Sequence, residues 1–284
     1  MTAIPNISTT PDGITIEPRN RKFDLQRALA TDWFDNDPFL TAIFNAMSMS
    51  FPSGEKNFID SIRHYEDQIK DPKLLNEIRG FYQQEGIHSR EHRRYNKILC
   101  EQRGYDHDTM EGVYLDTQAK AEENPDVTPK VMLASTLALE HFTASMAEIM
   151  LSGSFMDNVE PTIKELWLWH CVEELEHKSV AFDVFNQISG SNKMRTTMMK
   201  ISIMMLLRNV TKVAMKMLRH DKQLWKWKTL KSMRHFFFGK TGFIRLYLPA
   251  HKEYFRADFH PWDFDSKDLI NEWQAEQNLQ RSAA

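Results

Sequence analysis

Cysteine is nearly missing from this chain: Cys100 and Cys171 are the two it has in 284 residues. Two thiols without a Cys-x-x-Cys spacing make neither a disulfide framework nor a thiolate zinc site. The expectation is a pair of reduced, buried thiols in a cytoplasmic protein. Glycine and proline are scarce as well, at 10 and 11, so little interrupts long helices. No run approaches the roughly 20 apolar residues that span a bilayer. Met1 to Asn20 also lacks the apolar stretch of a secretory signal.

What is present is a 42% hydrophobic chain, enough for a sizeable core. Its 16 methionines suit adaptable packing around a cavity. The net charge of -3 conceals a division: residues 191–252 hold fifteen Lys or Arg and one acid, Asp221, a local +14 that leaves -17 for the rest. Such a separation speaks to placement or partners.

Turn chemistry divides the chain. Pro5, Pro11, Gly13 and Pro18 mark residues 1–20 as a flexible N-terminal arm. Asp37-Pro38 starts a short helix to Met49, and Phe51-Pro52-Ser53-Gly54 reads as a break. Four long helices are then expected at 55–70, 72–103, 129–151 and 161–189. The second is opened by Asp71-Pro72 and closed by Gly104; the third starts at Thr128-Pro129, and the fourth is opened by Glu160-Pro161 and closed by Gly190. Residues 21–190 thus form an all-α four-helix bundle, with 191–284 a basic helical extension and acidic tail packed on it.

Two segments carry metal-ligand spacing. Glu85-Gly86-Ile87-His88 is followed by His92, and His170 is followed by Glu174-Leu175-Glu176-His177. At about 100° per residue, each trio falls within an arc of about 60° on its helix. A Glu-x-x-His on each of two helices plus one Glu from each of two others is the ligand set of a dimetal carboxylate bundle. Glu55, 30 residues before Glu85, and Glu140, 34 before Glu174, supply the remaining carboxylates, since antiparallel neighbours return to the same level over such intervals. Glu66 and Glu148 compete for those places and fit the depth less well. The ligand set is therefore Glu55, Glu85, His88, His92, Glu140, His170, Glu174 and His177, with His92 either a ligand or a donor behind one. Glu173 and Glu176 point off the stripe and are expected to be solvated or salt-bridged, His141 structural, and Tyr95 a core tyrosine or a donor at the edge of the site. Two ions are implied, iron first, with manganese or zinc also compatible with mixed oxygen and nitrogen ligation.

Four motifs carry a resemblance: Phe51-Pro52-Ser53-Gly54-Glu55; Gln84 to His92 with Tyr95-Asn96; Ala138-Leu139-Glu140-His141-Phe142-Thr143; and Trp167 to Asp183. Over roughly residues 20 to 260 the chain resembles a bacterial family of predicted metal-dependent hydrolases. In ligand order it is similar to the ferritin-like diiron proteins, and the His170, Glu174, His177 run is similar to their arylamine N-oxygenase branch, where a third histidine joins the site. That resemblance implies Glu55, Glu85, His88, Glu140, His170, Glu174 and His177 as ligands and gives His92 no counterpart. It implies an oxidase or oxygenase acting on an apolar or amphipathic small molecule; the family's label implies instead hydrolysis by a metal-activated water. A non-catalytic metal-binding protein is the third reading.

The stretch 194–240 alternates Met, Ile, Leu and Val with Lys and Arg, then gives Leu224-Trp225-Lys226-Trp227-Lys228 and Phe236-Phe237-Phe238. This is the pattern of an interfacial membrane helix, which would put the protein on the inner membrane face. It equally suits a helix packed on the bundle, or a dock for an acidic carrier. Nucleic acid is not expected, because no recognition motif accompanies the charge. A homodimer is compatible with the composition.

Overall fold

A computed structural model of the chain describes residues 8–283. Its helices begin where the sequence places caps. Asp37 accepts from the amides of Phe39 and Leu40 and opens α1, Pro38–Arg63; Asp71 accepts from Lys73 and opens α2, Pro72–Arg103. In each, Pro occupies the first turn, where its missing N–H costs no hydrogen bond. Gly104, at φ 70°, closes α2 in the left-handed conformation that glycine takes without strain. The helix α3, His107–Glu122, crosses to α4, Pro129–Leu151, and Glu160 caps α5, Pro161–His177. A short α6, Val180–Gln187, follows. The basic region folds as α7, Asn192–His220, α8, Trp227–Phe238, and α9, Phe243–Glu253; α10 covers Lys267–Ala283. The fold is all-α: among the described residues there is no strand, only a single bridge between Phe34 and Val159.

The helix α1 packs along α2, and α4 along α5, with α1 and α4 in contact; these four helices enclose the buried polar residues described below. The helix α7 lies across α1 and α4, burying Met199, Ile203, Val210, Val213 and Met217. Its apolar face is thus used by the fold.

Three expectations are corrected. Phe51-Pro52-Ser53-Gly54 does not break the chain: α1 runs through it, and Glu55 lies mid-helix. Pro52 has no N–H to give the Ser48 carbonyl four residues back, and Asn96 supplies the missing donor, Nδ2 to that oxygen at 3.0 Å. The helix then ends at Arg63 rather than Lys70, with Glu66–Gln68 a 3-10 turn. The fourth helix, expected to reach Ser189, is interrupted after His177. Lys178 turns away to the Phe264 carbonyl and Ser266 hydroxyl, each at 2.8 Å, and the Ser179 hydroxyl pairs with that of Thr10 at 3.0 Å. The left-handed residue after α6 is Ser189 (φ 57°), while Gly190 is held against Phe185, where a Cβ would lie 2.2 Å from the ring.

The described part of the expected flexible arm, 8–20, makes hydrogen bonds and ion pairs along the helices; residues 1–7 fall outside the described residues. Ser8 bonds Asp71 and Glu77, Thr9 bonds Asp183, and Arg19 pairs with Glu173 and Glu176.

Candidate metal centre

Seven of the eight expected residues meet in the interior of the bundle. Glu55 of α1, His88 of α2 and His170 of α5 form one group; Glu85 of α2, Glu140 of α4, and Glu174 and His177 of α5 form the other. In each group the donor atoms lie within 4.8 Å of one another. Every one of these side chains is buried. Glu174 faces both groups: its Oε1 is 2.8 Å from Nε2 of His170 and 3.8 Å from Nδ1 of His88, and its Oε2 is 3.6 Å from Nε2 of His177. His177 Nε2 also lies 3.2 Å from Glu85 and 3.5 Å from Glu140.

Most of the donors have no hydrogen-bond partner, Glu174 and His170 being the exceptions. Both oxygens of Glu55, Glu85 and Glu140, Nδ1 of His88 and Nε2 of His177 are buried and make no hydrogen bond. Each such group costs about 1–3 kcal/mol when left unsatisfied, more if charged. Burial, then the neighbouring Glu174 carboxylate, raises the Glu55, Glu85 and Glu140 carboxyls well above their ordinary range. Burial pushes Glu174 in the same direction, but the His170 and His177 rings beside it outweigh burial and hold Glu174 well below that range. Burial, then the other histidines, lowers His88, which keeps its imidazole neutral with a lone pair to give. Carboxylate oxygens and imidazole nitrogens that converge, most of them otherwise unpaired, fit divalent cations.

The partners behind these histidines fix their tautomers. His88 Nε2 donates to Glu173 at 2.9 Å, leaving Nδ1 to face the cluster. His177 Nδ1 donates to Gln84 Oε1 at 2.8 Å, leaving Nε2. Such outer hydrogen bonds orient ligands and raise their basicity. Both chains of contact end on one cation: Arg19 reaches Glu173 at 3.3 Å and Glu176 at 2.6 Å, and Glu176 accepts from Gln84 at 2.8 Å.

His92, expected among the ligands, stands outside both clusters. It lies behind His170, and both of its ring nitrogens have partners. With His170 Nε2 turned to the cluster, Nδ1 donates to His92 Nε2 at 2.7 Å, His92 Nδ1 donates to Ser48 at 2.8 Å, and Ser48 donates to Asn96 at 2.7 Å. The chain closes on the Ser48 carbonyl that Pro52 leaves free.

The other candidates separate cleanly. Glu66 accepts from the Tyr82 hydroxyl and Glu148 pairs with Lys178, both away from the clusters. His141 is held by the Ala250 carbonyl, its pKa lowered by burial to about 4. Tyr95 is a core residue donating to Asn45 at 2.6 Å. Glu173 and Glu176 are ion-paired, as one expectation had it, but fully buried rather than solvated. No role was expected for Arg19, Gln84, Ser48 or Thr143, though Gln84 and Thr143 lie within the motifs quoted above. Thr143, one turn after Glu140, donates to Glu174 Oε2 at 2.5 Å, and its only signal is that helical offset.

A cavity of about 550 Å³ leads to the site between α1, α3, α4 and α7. Met47, Phe58, Leu139, Phe142, Met205 and Leu206 line it, Glu55 and Thr143 stand at its inner end, and polar Gln118, Lys120, Asn124 and Asp126 also border it.

An all-helical protein with two buried groups of carboxylates and imidazoles, each able to hold a metal ion, is the class that fold and site define. Residues 17–265 match the model of the family described as "Predicted metal-dependent hydrolase", and the chain belongs to that family. No curated protein and no solved structure matches it.

Proposed function

We propose that the chain is a dinuclear metalloenzyme that oxidises an apolar or amphipathic small molecule. Glu55, Glu85, His88, Glu140, His170, Glu174 and His177 would hold the two ions, and Glu174 faces both groups of donors. The observation that carries this reading is the set of buried, unpartnered carboxylate oxygens and ring nitrogens converging from four helices. Four carboxylates and three imidazoles favour iron, with manganese as the nearest substitute. In such a donor set, two irons supply redox chemistry with dioxygen.

The protein's own groups do the rest. Met47, Phe58, Leu139 and Phe142 hold the apolar part of a substrate and keep water from the inner end of the cavity. Thr143 fixes the Glu174 oxygen that faces His177, and the Arg19 network fixes His88 and His177. A preformed site of this kind avoids reorganisation when the reaction begins.

Hydrolysis is the second reading, and the family description favours it: the ions would then act as Lewis acids on water and on an ester, amide or phosphoester. Anaerobic iron-loaded, reduced protein separates the two. Consumption of dioxygen with a change in near-ultraviolet and visible absorption supports oxidation. Absence of both, with anaerobic turnover of model esters by the zinc or manganese form, overturns it in favour of hydrolysis.

A further inference from the structure

The fold buries Trp33, Trp167, Trp169 and Trp273, yet leaves Trp225 and Trp227 79% and 80% exposed and Phe238 81% exposed. These three rings belong to one short segment. On α8, Trp227, Lys231, Arg234 and Phe238 fall within an arc of about 60°, and all four are exposed. The opposite face anchors the helix: Phe236 is buried, with its ring 5.6 Å from Phe39 and 5.3 Å from Phe243. Trp225 sits in the preceding turn between exposed Lys222 and Lys226. The outward stripe therefore alternates large aromatic and cationic side chains and has no partner among the described residues.

Its electrostatic setting is one-sided. From Lys222 to Lys252 there are eight Lys or Arg and no Asp or Glu. Lys228 donates to the Asn36 carbonyl, between Asp35 and Asp37 in sequence, and Asp37 is committed there to capping α1; Glu253 and Asp263 line the same pocket as Leu246 of α9. Exposed Arg245, Leu246 and Leu248 on α9 add one more cation and two aliphatic side chains.

We infer that α8 and the turn before it dock on an anionic lipid surface. Tryptophan and phenylalanine rings settle at the boundary between headgroups and acyl chains, while Lys and Arg beside them meet the phosphates. A polyanion such as RNA would use the cations but has no need of the aliphatic pair on α9. Among the described residues no helix is long and apolar enough to cross a membrane, so the contact is peripheral. Docking is thereby narrowed from the whole 194–240 stretch to residues 222–248, because α7 spends its apolar face on the bundle.

The test is flotation of the full-length protein with vesicles of phosphatidylcholine alone or with one third phosphatidylglycerol, together with tryptophan quenching by brominated lipid. The protein should float with the anionic vesicles, be released by high salt, and be quenched. Lys231→Glu with Arg234→Glu should weaken binding by at least about 25-fold, taking about fivefold per cation. Trp225→Ala with Trp227→Ala should weaken it and remove the quenching. All four positions are exposed, so circular dichroism should match the wild type. Failure to float with anionic vesicles, equal flotation with neutral ones, or variants that bind like the wild type would each overturn the inference. So would conversion of a dimer to a monomer by the double tryptophan variant, or binding to single-stranded RNA without binding to vesicles.

Discussion

Arg19→Met is the most demanding perturbation of the site, because it touches no proposed ligand. Arg19 is the cation beside two carboxylates, Glu173 and Glu176, whose side chains are wholly buried. Removing one partner of a buried ion pair costs about 3–5 kcal/mol. Protonation of the stranded carboxyls limits that cost. Glu173 is already pushed by burial to about 7 against the pull of Arg19, and without the guanidinium it rises further. A carboxyl raised in the folded state binds its proton there more tightly than in the unfolded chain. For Glu173 the deficit of the variant should therefore grow as pH rises above about 7, where the wild-type carboxyl has lost its proton and the variant's has not, by up to about 1.4 kcal/mol per pH unit, and level off below about 7. The assay is urea unfolding of metal-free protein at two pH values, read by circular dichroism. Metal affinity should fall about 10- to 100-fold, since His88 and the Gln84–His177 pair lose their orientation. Arg21→Met is the control: its pair with Glu165 is partly exposed, and such pairs contribute under about 1 kcal/mol. If Arg19→Met proves no more costly than Arg21→Met, or binds metal as well as the wild type, the reasoning about the buried network is wrong.

Three further outcomes follow from the same geometry. Glu55, Glu85 and Glu140 have carboxyls raised well above 4.5, so cations must displace protons to bind: affinity should rise with pH, with proton release seen by calorimetry in buffers of different ionisation enthalpy. By the same sign, those three groups should make metal-free protein lose stability as pH rises above 4.5, a loss that bound metal removes. Leu139→Trp narrows the cavity without touching a donor, so it should reduce binding of an apolar fluorescent dye while leaving metal content unchanged.

The parts of this protein that repeat with helical period were legible in the sequence. Caps at Asp37, Asp71 and Glu160 gave helix starts, and the offset of three residues between Glu85 and His88 and between Glu174 and His177 gave one-sided stripes. The interval argument brought Glu140 of α4 to Glu174 of α5, while Glu55 of α1 falls in the group of His88 and His170 rather than that of Glu85. Contacts that depend on distant chain were not legible. Arg19 lies 154 residues from Glu173, and no local pattern marks it. Pro52 reads as a break until Asn96, 48 residues from Ser48 in sequence, is seen to meet the freed carbonyl. The interruption at Lys178 has no glycine or proline to announce it. His92 shares the stripe of Glu85 and His88, and only the position of His170 in front of it decides that it is a partner of a histidine rather than a member of either cluster.

The central claim is that two cations sit between the four helices with Glu174 facing both. Anaerobic titration of metal-free protein with ferrous iron, comparing wild type, Glu174→Ala and Glu66→Gln, tests it most directly. Two tightly bound equivalents are expected in the wild type and in Glu66→Gln, and fewer than one in Glu174→Ala. A wild type that binds one equivalent or none, or a Glu174→Ala variant that still binds two with unchanged affinity, would contradict it.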